Sequence, residues 1–479
     1  MAISEEKNVS GRKGRISRRK FLSHTATATA AFTIVPRHVL GGAGHTPPSE
    51  KLNIAGVGVG GMGKKNLANM TNLEEDTEGK LLPVDENKSD VNIVALCDVD
   101  HNKAAETFSL FPKAEQYYDF RKMLDKQKDI DAVLVATPDH THAVIAMAAI
   151  KAGKHVYVQK PLTHSVHEAR TLTEAARKAG VATQMGNQGH SGEGIRLIRE
   201  WIQAGAIGKV RQVHTWTKRP VWPQGLDMNR PDDTPDIPDK LNWDLWIGPA
   251  KYRPYHPAYH PWIWRAWWDF GAGALGDMGC HYIDPAFWAL DLKYPVAVEA
   301  STSTYKENWE PVNYGEVYPR ASIVRYTFPE RGSMPELKLT WYDGGLMPPT
   351  PETLEAEREL GEEGNLFIGD KGIIMSSGSG GSPRLIPETA MKAFERPPKT
   401  IERIPDSHEK DWIRACKGGK SACSNFEYSG PLAETVLMGN LAIRHPGRRL
   451  LWNGKKMEIT NFPEANEYVR RQYRQGWAL

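Results

Sequence analysis

Cysteine is scarce in this chain. Cys97, Cys280, Cys416 and Cys423 are the only four in 479 residues. They have neither the spacing of a metal-ligand set nor the density of a disulfide framework, so no metal site is expected. Cys416 and Cys423 are near enough in sequence to bridge in an exported protein, but free, mostly buried thiols are the expectation. Apolar runs are short as well: none reaches the ~20 residues that a membrane-crossing helix needs. A dominant charge sign is also missing. The balance of 61 basic and 58 acidic residues leaves +3, and the basic excess gathers near the N-terminus at Lys7, Arg12, Lys13, Arg15, Arg18, Arg19 and Lys20. No basic stripe follows downstream, which excludes the electrostatic footprint of a nucleic-acid binder. With no internal repeat and no coiled coil, a chain of this length is expected to form two domains plus appendages.

The N-terminus carries an address. Ser17-Arg18-Arg19-Lys20-Phe21-Leu22 is a twin-arginine sequence, and a small-residue, weakly apolar run follows over 26–35 before Pro36. Basic, then apolar, then small and polar is the order of an export signal. The expected partner is the twin-arginine export machinery, with a periplasmic destination and a cofactor seated tightly before export. Residues 1–45 are read as signal and arm, 46–188 as a dinucleotide-binding domain, and 189–479 as a catalytic and oligomerisation domain.

A β-rich stretch, Leu52–Val57, runs into Gly58-Val59-Gly60-Gly61-Met62-Gly63 and then a helical pattern. This is G-x-G-x-x-G in its required setting, between a strand and a helix. Gly58 permits a tight turn, Gly60 lets the backbone approach a pyrophosphate, and Gly63 allows close packing of helix on strand. Gly61 and Met62 lie at the helix start, whose free amides hold phosphate. The next strand, Val91–Cys97, ends at Asp98, placed to accept hydrogen bonds from ribose hydroxyls; that carboxylate favours NAD over NADP. A polar, acidic loop over 73–90 accounts for the long gap before it. A buried strand over 130–136 leads into Thr137-Pro138-Asp139-His140-Thr141-His142, where His140 and His142 read as cofactor-side or turn residues. A further strand delivers Gln159-Lys160-Pro161, at the strand end where open α/β sheets bind ligands.

Asp277 and His281 stand at i and i+4, so a helix puts them on one face. Removing hydrogen from an alcohol carbon needs a base for the hydroxyl proton, and a histidine held by a carboxylate serves near neutral pH. Asp284 is the alternative helper, and Pro285 predicts a kink just beyond His281. Lys160 would stabilise charge on the reacting oxygen. Ten of the 15 tryptophans fall between Trp201 and Trp288. Within that region residues 255–268 combine aromatics with His256, His260 and Arg265. An aromatic-lined loop bordering a sugar site, with Trp264 and Arg265 reaching substrate, competes with ordinary core packing. Asn187, after the strand over 181–185, is a further substrate candidate.

Taken together, Gly58/Gly60/Gly63, Asp98, Ala136-Thr137-Pro138 with His142, Lys160-Pro161 and Gly276-Asp277-Met278-Gly279-Cys280-His281 make the chain resemble the Gfo/Idh/MocA oxidoreductases. The resemblance runs from about Lys51 to Trp452. It implies a Rossmann domain followed by a mostly antiparallel, open-faced sheet domain, an active site between them, a pyranose or cyclitol substrate, and a homodimer or homotetramer. Where that family usually has Glu-Lys-Pro, this chain has Gln159, which keeps size and hydrogen bonding but removes a charge beside Lys160. Two other outcomes stay open: an NAD-dependent glycosidase that oxidises transiently with no net redox change, and a non-catalytic exported sugar or dinucleotide binder.

Overall fold

In the computed structural model, the described residues are 50–479 apart from 86, 87, 226, 227, 305, 308 and 312–314. The twin-arginine sequence and the apolar run after it lie outside them. Six strands, β1 (Leu52–Val57), β2 (Val91–Cys97), β3 (Glu115–Tyr117), β4 (Ala132–Val135), β5 (His155–Gln159) and β6 (Thr183–Gly186), form one sheet in the order β3-β2-β1-β4-β5-β6. Every neighbouring pair in it is parallel. A parallel sheet is covered on both faces, which is why β4 reads as an unbroken apolar run and is wholly buried. This is the doubly wound order, and its direction reverses between β1 and β4, where a crevice opens at the strand ends.

The second half is built on nine strands: β7 (Val210–Trp216), β8 (Ala297–Thr302), β11 (Ser322–Phe328), β12 (Leu337–Tyr342), β13 (Gly364–Gly369), β14 (Ile373–Ser376), β15 (Arg384–Ile386), β16 (Arg449–Asn453) and β17 (Glu458–Ile459). A separate hairpin pairs β9 (Lys306–Glu307) with β10 (Glu310–Pro311). The nine-stranded order is β15-β14-β13-β7-β12-β11-β8-β16-β17, and only β12 and β7 run parallel. Along β11 the residues Ser322, Val324, Tyr326 and Phe328 are buried while Arg325 is exposed, the alternation of a sheet with one covered face. Gly369-Asp370-Lys371-Gly372, whose sequence reads as a hairpin turn, joins β13 to β14.

Two helices tie the halves together. Phe426–Arg444 buries most of its length, and its Glu434 accepts a bidentate pair from Arg170 on the helix Val166–Ala179. His408–Cys416 packs beside β6, where its His408 carbonyl accepts from Gln184 Nε2 at 2.9 Å. The helix carrying Asp277, Gly273–Tyr282, stops before Pro285, and a second short helix, Asp284–Ala289, starts there, as the proline predicts. All four cysteines are free. No helix among the described residues is long and apolar enough to cross a membrane.

Candidate active site

At the end of β1 the chain turns at Gly58, whose φ is 79°. A Cβ there would lie 2.7 Å from the Ala136 carbonyl carbon and the Thr137 nitrogen, and one on Gly63 would lie 2.1 Å from the Gly58 carbonyl oxygen. Only glycine fits either position. Asp98 braces the loop from β2: one carboxylate oxygen accepts the amides of Val59 (2.8 Å) and Gly60 (3.2 Å), the other that of Asp100 (2.9 Å). Burial raises the Asp98 carboxyl above its ordinary range against the pull of those amides. The helix that follows, Met62–Thr71, has no side-chain cap, whereas Asp100 and Asp119 cap the next two. Its first amides are left for a ligand.

A cleft of about 410 Å³ runs along these strand ends. Of the residues singled out from sequence, Gly58, Gly60, Gly61, Met62, Asp98, Thr137, Pro138, Gln159, Lys160, Trp264, Arg265 and Asp277 line it. The cleft fits a dinucleotide in two respects. It offers a cradle that a Cβ at Gly58 or Gly60 would fill, and two buried ring nitrogens of lining residues, Trp246 Nε1 and His260 Nδ1, lack partners among the described residues. Four further candidates sit outside the lining. Gly63 packs under the loop. His142 is buried, its ring nitrogens on the carbonyls of Pro161 (2.7 Å) and Thr137 (2.8 Å), so it joins two cleft turns rather than facing a ligand. Asn187 is buried and accepts from Ser424 Oγ at 2.6 Å, while its Nδ2 has no partner among the described residues. His281 lies one turn beyond Asp277 and is half-buried.

Lys160 and Asp277, 117 positions apart in sequence, meet at the cleft: Lys160 Nζ donates to the Asp277 carbonyl at 2.7 Å and to its Oδ1 at 2.8 Å. Burial would raise the Asp277 carboxyl, but Lys160, Arg265 and Arg219 together outweigh it and hold it below the usual carboxylate range. One helix carries Asp277 and His281 as the spacing predicts, but the expected contact between them is not made. The Asp277 carboxylate is engaged with Lys160, and among the described residues no hydrogen bond or ion pair joins it to His281. Asp284, the other candidate helper, is bonded to buried His190 at 3.0 Å and to Tyr428. His281 is pushed down to about 3, first by burial and then by the charge of Lys160, so it is a neutral imidazole at neutral pH.

Two family models cover more than half of the chain. The one described as an oxidoreductase family with an NAD-binding Rossmann fold matches residues 52–187, and its C-terminal α/β domain counterpart matches 196–314. The chain belongs to the Gfo/Idh/MocA oxidoreductase family. It is similar to a levoglucosan dehydrogenase of Pseudarthrobacter phenanthrenivorans, with 26% identity over 45% of each chain. It is also similar to a scyllo-inositol 2-dehydrogenase (NADP(+)) of Bacillus subtilis, with 28% identity over 43% of this chain and 46% of that one. These matches span less than half the length of either relative. The WlbA dehydrogenase of Bordetella pertussis, solved in complex with NADH and UDP-GlcNAcA, shares the fold: TM-score 0.54, 17% identity, 84% of this chain and 99% of that one.

In this Gfo/Idh/MocA chain the site also holds residues that sequence reasoning passed over. Asp139 lines the cleft, accepts the Ala272 amide at 3.0 Å, and is raised to about 7 by burial. Its signal was present, a carboxylate inside the Thr137–His142 turn. Arg219 is 3.8 Å from Asp277 Oδ2, and nothing in its local sequence marks it. The aromatic stretch divides its work: Tyr255, Tyr259, Trp264, Trp267 and Phe270 fill a core with Trp243, Trp264 also lining the cleft, and the exposed Trp262 lies at the cleft. His260 reaches Asp100 at 2.8 Å, so the loop borders the β2 side of the cleft as well as the Lys160 side.

Imidazoles drawn out of water set an acid limit on the fold. His140 and His281 are each pushed down to about 3, and His164 falls well below its ordinary value, all chiefly by burial. Unfolded, such groups take up protons near pH 6.5; folded, they do so only much lower. Between about 6.5 and 3 the unfolded chain binds more protons, so stability should drop as pH falls through that window. The raised carboxyls of Asp98, Asp139, Asp343 and Glu434 act in the opposite sense, but the lowered imidazoles outnumber them once His142, His155, His214 and His408 are included. Urea midpoints should therefore fall from pH 7.5 to pH 5; a flat or rising series would contradict this reading.

Proposed function

We propose that this chain is an NAD-dependent oxidoreductase acting on a hydroxyl-bearing carbon of a sugar, glycoside or cyclitol. The observation that carries the reading is the presence, in one cleft, of the glycine loop and the Lys160–Asp277 pair. Gly58, Gly60, Gly61, Met62 and Asp98 would hold the adenosine end of the dinucleotide, and Thr137, Pro138, Gln159 and Lys160 its far end. When bound, the dinucleotide supplies a two-electron acceptor.

The chain's own residues divide the remaining chemistry. Asp277 fixes the Lys160 ammonium, which steadies the substrate oxygen as negative charge develops there. His281, kept neutral, accepts the hydroxyl proton. The exposed ring of Trp262, with Arg265 stacked on it, would border the sugar ring at the cleft. His281→Ala should lower kcat by roughly 10²–10⁴-fold. Steady-state rates of NADH formation over a sugar and cyclitol panel test this, and a near-normal rate in that variant would remove His281 from the assignment.

Asp98 supports NAD as the cofactor over NADP, because its carboxylate repels a 2′-phosphate. Asp98→Ser should narrow a preference of about 10-fold or more, read as the ratio of kcat/KM for the two cofactors. A ratio unchanged by the substitution would place cofactor choice elsewhere. Tight cofactor retention, twin-arginine export to the periplasm and assembly as a homodimer or homotetramer complete the proposal. Residues 17–22 and 26–35 support the export route, and the exposed part of the sheet's outer face, at Gln212, Arg325 and Lys338, supports assembly. Mass spectrometry of cofactor retained after native purification from the exporting compartment tests retention and export together.

A further inference from the structure

The Asp277 carboxylate has more cations around it than it can satisfy. Lys160 takes Oδ1 in a short hydrogen bond, while Arg265 Nε stands 3.6 Å from Oδ1 and Arg219 Nη1 3.8 Å from Oδ2. Both guanidinium distances exceed hydrogen-bond length. Among the described residues Asp277 is the one carboxylate within ion-pair range of either arginine. The nearby Glu363 does not serve them: its oxygens accept from Thr217 Oγ1 at 2.9 Å and from the Tyr282 hydroxyl.

The two guanidinium groups therefore have donors to spare. Arg219 Nε is buried with no partner, and none of the Arg219 guanidinium nitrogens has an acceptor within hydrogen-bond distance among the described residues. Arg265 gives one N–H to the Trp262 carbonyl at 3.3 Å. Its fork is held in place by stacking, 4.4 Å from the centre of the Trp262 ring and 4.1 Å from that of Trp264. A buried, unpaired donor is costly, and a stacked arginine is oriented before any ligand arrives. Placed either side of a carboxylate already committed to lysine, such donors match the planar oxygens of an acid group.

We infer that Arg219 and Arg265 form an acid-group subsite, and that the substrate is an anionic carbohydrate whose carboxylate or phosphate they bind while the hydroxyl to be oxidised lies at Lys160. The inference rests on the oxidoreductase reading above and adds the substrate class to it. In that arrangement Asp277 stays on Lys160, and the incoming acid takes up the arginine donors that Asp277 cannot.

The test uses the purified, NAD-loaded protein with D-glucuronate, its uncharged amide glucuronamide, D-glucose and D-glucose 6-phosphate. An acid should exceed its uncharged analogue in kcat/KM by roughly 10–100-fold, mostly through KM, because charge-assisted hydrogen bonds are lost with the charge. Glucuronate leading identifies a carboxylate ligand and glucose 6-phosphate leading a phosphate. In Arg219→Gln the acid-to-neutral ratio should collapse towards one, and Arg219→Lys should restore part of it. Neutral sugars oxidised as fast as acids, with the ratio unmoved in Arg219→Gln, would overturn the subsite and leave the oxidoreductase reading standing. If no sugar is oxidised, that reading fails separately, and quenching of tryptophan fluorescence by glucuronate against glucuronamide still decides the subsite. Acid-selective quenching lost in Arg219→Gln upholds it, and equal or absent quenching refutes it.

Discussion

Replacing Lys160 by methionine should lower kcat by about 10²–10³-fold, the cost of removing one preorganised charge from a reacting oxygen. Methionine keeps much of the side-chain length and apolar stem but has no ammonium. The same change should also cost stability. Lys160 Nζ holds both the carbonyl and the carboxylate of Asp277, and Asp277 is 8% exposed, so the variant leaves a buried carboxylate without its close partner. Breaking such a pair costs about 3 kcal/mol when the remaining charge is left alone, and Arg265 and Arg219 beside Asp277 should hold the loss below that. The two effects separate in the double variant Lys160→Met with Asp277→Asn. Neutralising the carboxylate should recover most of the urea midpoint while turnover stays low, because the ammonium is still missing. Recovery of turnover along with stability would mean that Lys160 acts only by holding Asp277 and does not touch the reacting oxygen.

Gly63→Ala should raise the Kd for NAD on the order of 10²-fold, since small displacements of a positioned group carry penalties of that size. A Cβ at Gly63 would stand 2.1 Å from the Gly58 carbonyl oxygen. That oxygen cannot retreat alone: Gly58 donates its amide to the Cys97 carbonyl at 2.8 Å, and it packs on Thr137 so closely that a Cβ on Gly58 would stand 2.7 Å from the Thr137 nitrogen. Relief of the clash must move the loop whose amides Asp98 holds, so the cradle opens before the sheet does. Overpacking of this kind costs about 1–3 kcal/mol. Isothermal titration with NAD, alongside circular dichroism to show that the fold persists, measures both. Unchanged affinity in a folded variant would show that the Met62–Thr71 helix can shift without disturbing the phosphate cradle.

Much of the Rossmann half was legible because its signals are local. The tight turn, the close approach and the uncapped helix all lie within Leu52–Thr71, and each is a backbone requirement that only particular residue types meet. The Pro285 break and the β13–β14 hairpin were readable for the same reason. The centre of the site was legible only in part. Helical spacing put Asp277 and His281 on one face, but spacing does not say where a carboxylate turns. Asp284 shows the same gap, since its partners His190 and Tyr428 come from elsewhere in the chain. Aromatic clustering likewise flagged the Trp201–Trp288 region without separating Trp262, exposed at the cleft, from Trp267, which is core, or from Trp264, which belongs to both.

By itself the sequence determined the two-part architecture, the glycine cradle with Asp98 behind it, and the presence of a lysine and a histidine suited to alcohol chemistry. Those follow from backbone rules that act over a few residues. Only the tertiary structure decided that Asp277 binds Lys160, that Arg219 and Arg265 crowd the same carboxylate, and that Asp139 is buried beside them. Partner choice among charges is settled by which groups folding drives out of water together. Burial makes each remaining attraction strong, and it joins residues that the chain order keeps far apart.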